Sequence, residues 1–142
     1  MDDPALPLSE AFTRAASKCD CMASLNYVWK ALFGVSLLLV AFLTLTPPGP
    51  PSSLSFLSDK AQHFSAFAWL ALLGAFAFRS NRSPLVLCVL LPAYGAAIEI
   101  AQNFVPGRTP EVADWIADTL GTVAALGMVL LSHRLRARRT AR

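Results

Sequence analysis

Apolar residues fill four long runs, 32–45, 64–78, 85–98 and 115–131, with almost no polar residue inside any of them. A helix at the surface of a water-soluble domain alternates apolar and polar faces every three to four residues, and these runs do not. They read as helices surrounded by lipid. The pattern predicts an all-α integral membrane bundle of four transmembrane helices, over residues 28–46, 59–78, 84–103 and 110–132.

Local signals set these boundaries. The first span has about 19 residues rising 1.5 Å each, close to the ~30 Å of hydrocarbon a helix must cross. Trp29 and Lys30 anchor one of its interfaces, and Pro47, Pro48, Pro50 and Pro51 end it in a stiff extended link. Ser58 reads as the cap of the second span, with Asp59 in its first turn. Ser83-Pro84 and Thr109-Pro110-Glu111 repeat the start signal for the third and fourth, and Val105-Pro106-Gly107-Arg108 is the turn between them. Residues 1–27 carry Asp2, Asp3, Glu10, Arg14, Lys18 and Asp20 with little periodicity, and read as a mobile or surface-lying tail. No small-residue cleavage pattern follows the first apolar run, so it reads as an anchor, not a cleaved signal. Residues 133–142 form a second, basic tail.

Composition agrees with this class. The 142 residues are 55% hydrophobic and 15% charged, where a soluble domain approaches a quarter charged. The net charge of +3 does not point to nucleic acid, because the basic residues sit at segment ends and not along an aromatic-interleaved stripe. Arg14, Lys18, Lys30, Arg79, Arg82, Arg134, Arg136, Arg138, Arg139 and Arg142 fall on one side of the four spans, against Lys60 and Arg108 on the other. The positive-inside rule then puts both termini in the cytoplasm. Cys19, Cys21 and Cys88 make no disulfide framework and no zinc pattern, and read as ordinary thiols.

The acids sort the opposite way. Beyond the amino-terminal tail, Asp59, Glu99, Glu111, Asp114 and Asp118 all lie at the outer ends of spans two, three and four, with His63, Lys60 and Arg108. Asp59 and His63 are four residues apart, as are Asp114 and Asp118, while Glu99 and Gln102 are three apart, so each pair shares a helix face. Three helices can thus present polar faces to one point. Ionisable groups inside a membrane are costly and point to function. Glu99 lies near a helix carboxyl end, where the dipole disfavours an anion, so it needs a cation or a proton. Arg108 is its nearest cationic partner in sequence, then Lys60, then His63. Pro92 and Gly95 align with Glu99, and Ala93, Ala97, Ala101 and the ladder Ala117, Gly121, Ala125 suit close helix contact. Each acid also has a plain structural account, as a helix-start charge or an ion-pair partner. No ligand spacing specifies a metal, and no cofactor is predicted.

The motif Asp59-Lys60-x-x-His63-Phe64-x-x-Phe67, followed by Glu99-x-x-Gln102, Pro106-x-Arg108, Asp114 and Gly121, resembles the VanZ-like family of small bacterial membrane proteins. The resemblance runs from about Ser58 to Gly127. The family often has asparagine where Asp118 stands, so the resemblance does not assign that residue. It implies a multi-pass protein of the bacterial plasma membrane, and its namesake is linked to resistance to the glycopeptide teicoplanin. No established reaction comes with it.

Three classes of function remain open from sequence. One is a site at the outer face, with Asp59, Lys60, Gln102, Arg108, Asp114 and Asp118 binding an envelope lipid, an anionic lipid-linked wall precursor or a lipophilic antibiotic. Another is a membrane enzyme with Glu99 and His63 as acid and base. The third is an accessory protein whose ion pairs only hold the helices together. A proton pathway is disfavoured because the inner halves of the spans carry no ionisable relay.

Overall fold

A computed structural model of the chain describes residues 8–47, 55–80 and 82–140, and the proline-rich link at 48–54 lies outside them. The described residues form four helices and no strand: α1 (Leu8–Leu45), α2 (Ser55–Ala77), α3 (Ser83–Gln102) and α4 (Val112–Thr140). Within α1, residues 24–45 are long and apolar enough to cross a membrane, as are α3 and α4.

Three element boundaries differ from the sequence reading. Helix α1 begins at Leu8, so most of the expected tail is helical. The cause is local: no proline or glycine occurs from Leu8 until Gly34. Helix α2 begins at Ser55, which puts Ser58 inside the helix and Asp59 a full turn past its start. Helix α4 likewise runs on through the basic tail to Thr140, since nothing after Gly127 breaks it and the arginines of its last turns suit a helix carboxyl end. At α3, Pro84 stands in the first turn as expected, but Ser83 makes no cap: its hydroxyl donates to the Ser80 carbonyl at 2.8 Å.

Helix α2 is the centre of the bundle and touches the other three, α4 most extensively. Its inward residues Phe67, Leu70 and Ala71 pack with Val40, Leu91, Ile98 and Leu126 in one apolar core. The α2–α4 approach is close because of Gly121: a Cβ there would collide with the backbone carbonyl of Phe64 and come within 3.1 Å of the Ala68 nitrogen. Ala125, one turn on, is wholly buried, so the small-residue ladder of α4 is a packing face. The matching ladder of α3 is not, since Ala93 and Ala97 are exposed. Near the other end Trp29 stacks on Phe76 at 5.2 Å and Phe33 meets Phe78 edge-on, fixing α1 to α2.

The distribution of side chains is inverted relative to a soluble protein. Leu38, Phe42, Leu85, Val89, Ile100 and Met128 are all more than 60% exposed, while His63, Glu99, Gln102, Asp114, Asp118 and Thr122 are buried. Water would penalise so much continuous apolar surface. Lipid accepts it, and the buried polar groups must then satisfy one another.

The glycine contact gives a paired prediction. Gly121→Ala is expected to destabilise the protein by about 1–3 kcal/mol, because the α2 backbone cannot yield as a side chain would. Gly127→Ala, with open space around the new methyl, is expected to be neutral or to stabilise by up to about 1 kcal/mol. Thermal unfolding in detergent checks both; equal effects would contradict the close approach.

Candidate functional site

Three helices deliver polar groups to one end of the bundle. From α2 come Asp59, Lys60 and His63; from α3, Glu99 and Gln102; from α4, Asp114 and Asp118, with Glu111 and Arg108 on the connecting loop. The four-residue and three-residue spacings hold, because His63, Glu99, Gln102, Asp114 and Asp118 all turn inward. Asp59 and Lys60 are half-buried at the rim.

At the rim, the Lys60 ammonium bonds Glu111 at 2.6 Å and also bonds Asp114. One turn deeper, His63 Nδ1 lies 3.0 Å from Asp118 Oδ1. With Asp118 ionised, the ring N–H donates. Both side chains are almost completely enclosed, at 4% and 0% exposure, so this pair crosses from α2 to α4 away from solvent. The buried Thr122 hydroxyl is satisfied within α4, donating to the backbone carbonyl of Asp118 at 2.9 Å.

Glu99 does not pair with Arg108. Its Oε2 instead accepts the backbone N–H of Glu111 at 3.0 Å, tying α3 to the start of α4. The Arg108 guanidinium donates to the carbonyls of Thr46 and Leu43, and Gln102 donates to Thr44 at 3.0 Å. These carbonyls belong to the last turn and exit of α1, where a helix leaves acceptors unsatisfied and its dipole attracts a cation. Arg108 is therefore a clamp on α1. Proximity in sequence suggested Glu99; the open carboxyl end of α1, far away in the chain, is the stronger acceptor set.

Sequence reasoning missed Glu111 as a partner of Lys60, although it stands three residues before Asp114 and so is placed to share that cation. Gly95 was noticed only for helix packing. Its role is more specific, because a Cβ there would lie 2.6 Å from Asp118 Oδ2; only glycine leaves room for the carboxylate beside α3. Tyr94, which donates to the Leu37 carbonyl at 2.6 Å, gave no sequence signal. Two side-chain oxygens in the cluster, Glu99 Oε1 and Asp118 Oδ2, are buried without a hydrogen-bond partner. Leaving such an atom unmatched costs about 1–3 kcal/mol, and more when it is charged.

The VanZ/LLP1 family model matches residues 22–133, which takes in residues 24–45 of α1, all of α2 and α3, most of α4 and every residue of this cluster. The chain belongs to the VanZ/LLP1 family. An uncharacterized protein of Schizosaccharomyces pombe is 30% identical over 111 residues, 75% of this chain. The chain covers 65% of that relative's length. No solved structure matches.

Beside the cluster, a groove of about 400 Å³ opens between α1 and α2. Its polar end is formed by Asp59, Gln62, His63 and Arg108, and its apolar wall by residues such as Leu39, Leu43 and Trp69. His63 lines this groove while its Nδ1 bonds Asp118, and an imidazole held at one ring nitrogen is chemically able to exchange a proton at the other. Two ligand-like sets of donor atoms also occur, Asp59 with His63 and Asp114, and His63 with Glu99 and Asp118.

Double-mutant cycles test these pairings. Lys60→Met and Asp114→Asn are expected to couple by about 1–3 kcal/mol in unfolding free energy, as contacting groups do. Arg108→Ala and Glu99→Gln are expected to be additive within about 0.5 kcal/mol. Strong coupling in the second cycle would restore the ion pair that the structure replaces.

Proposed function

We propose that this VanZ/LLP1 protein spans the membrane four times, with both termini cytoplasmic, and binds an amphiphilic ligand at the outer face. The ligand class is an envelope lipid, an anionic lipid-linked wall precursor or a lipophilic glycopeptide of the teicoplanin type. The observation that carries the reading is the α1–α2 groove, polar at the end where His63 and Arg108 stand and apolar along the rest. An anionic head group would share the Arg108 guanidinium with the α1 carbonyls it already bonds, beside His63 and Asp59, and an acyl or prenyl chain would lie against Leu39, Leu43 and Trp69.

Four spans are supported by α2 itself. Its 23 residues reach about 35 Å, and it packs among α1, α3 and α4. Cytoplasmic termini are supported by the ten-to-two distribution of basic residues in the sequence. The bacterial plasma membrane is the location that the family resemblance implies; the relative described above is fungal, so sequence kinship extends beyond bacteria.

A second reading, turnover of a bound envelope lipid with His63 and Glu99 as acid and base, is favoured by His63, which lines the groove while bonded to the enclosed Asp118; Glu99 lines a different pocket, between α3 and α4. The accessory reading is favoured by the Lys60 bonds to Glu111 and Asp114, which join α2 to the start of α4.

Binding is measured with the full chain in nanodiscs, using a polyprenyl phosphate and teicoplanin as probes. Ala66→Phe, which fills the groove, and Arg108→Ala are each expected to weaken binding of at least one probe by about tenfold while the protein stays folded. Binding of neither probe, or equal binding by both variants, would contradict the site. For topology, a single cysteine at Ser53 is expected to react with an impermeant thiol reagent in whole cells; protection would reverse the orientation.

A further inference from the structure

We propose that His63, Glu99 and Asp118 form a binding site for a divalent first-row transition cation of the zinc or manganese type. The site does not depend on the amphiphile reading, and sequence spacing alone did not specify it, because its donors come from three different helices.

The first observation is placement. One donor atom from each of the three residues lies within 4.8 Å of the other two, close to the spacing of ligands that share an ion through bonds of about 2.0–2.2 Å. All three residues are buried, at 5%, 8% and 0% exposure. The second observation is independent of spacing. Glu99 Oε1 and Asp118 Oδ2 are the two buried side-chain oxygens without a partner among the described residues, and both belong to this set. Asp118 Oδ2 turns to the face of α3 that carries Gly95, one turn before Glu99. Buried carboxylate oxygens without donors are what a cation would satisfy.

Charge balance points the same way. Five carboxylates, Asp59, Glu99, Glu111, Asp114 and Asp118, gather at this end, and Lys60 bonds two of them. Arg108 is turned to the carboxyl end of α1. The deeper layer therefore holds the two carboxylates of Glu99 and Asp118 with one imidazole, and a bound cation would balance the carboxylates. The alternative set of Asp59, His63 and Asp114 is less suitable because Asp114 is already held by Lys60.

The donor chemistry narrows the ion. One imidazole with two carboxylates suits zinc, manganese or ferrous iron, whereas magnesium and calcium favour oxygen ligands alone. In the metal-free chain the 3.0 Å His63–Asp118 contact is a hydrogen bond, and an ion bound between the two would replace its proton.

The test uses the purified full chain in detergent, stripped with a chelator and titrated separately with zinc, manganese and magnesium. Wild type is expected to take up about one zinc or manganese per chain, to unfold at a higher temperature with the ion bound, and to show cobalt absorption bands of a mixed nitrogen and oxygen site. Asp118→Asn and Glu99→Gln, which keep shape and remove charge, are expected to bind at least about tenfold more weakly. Failure of wild type to bind any of these ions would overturn the proposal without reference to the variants. So would undiminished binding by both variants, or cobalt bands that persist in His63→Ala.

Discussion

The pairing of α2 with α4 is the constraint on which the rest of the structure depends. Gly121 lets the two backbones touch, and that closeness brings His63 within hydrogen-bonding distance of Asp118. Without a side chain at Gly121 the helices can approach; with one, Phe64 and everything after it on α2 must move. Lys60, one turn nearer the rim, then reaches Glu111 and Asp114 across the same interface. A packing feature with no chemistry of its own thus decides whether the polar groups meet.

Lipid makes that meeting consequential. On the outside of the bundle, side chains such as Leu38, Leu85 and Phe104 are exposed without penalty. Inside, each polar group needs a protein partner, and the structure supplies most of them: His63 bonds Asp118, Thr122 bonds its own helix, Gln102 and Arg108 cover the exit of α1, and the Glu111 amide serves Glu99. The two carboxylate oxygens left over are the exception. They concentrate the functional question on the deep layer of His63, Glu99 and Asp118, beside the groove between α1 and α2.

Much of this was legible in the chain. The apolar runs fixed the number of helices, and the shared faces of Asp59 with His63, Asp114 with Asp118 and Glu99 with Gln102 follow from helical spacing alone. Partner choice was not legible. Arg108 looked like the counter-ion of Glu99 because it is nearby in sequence, but the carbonyls it binds belong to residues 43 and 46, more than sixty positions away. Helix ends are not legible either: α1 begins at Leu8 and α4 runs to Thr140 because polar residues such as Glu10 and Arg136 are good helix formers, and α2 begins at Ser55, a turn before the expected cap. Periodicity reports which face is buried, and it is silent on how far a polar helix continues.

The central claim is that His63 is enclosed and bound to Asp118 across the α2–α4 interface. Nitrogen and proton NMR of the imidazoles in micelles tests it most directly, with the exposed His133 as an internal control. The account predicts a His63 ring proton protected from exchange with water, with ring-nitrogen shifts that change on Asp118→Asn while His133 stays the same. A His63 ring that exchanges as fast as His133 and ignores the Asp118 substitution would contradict it.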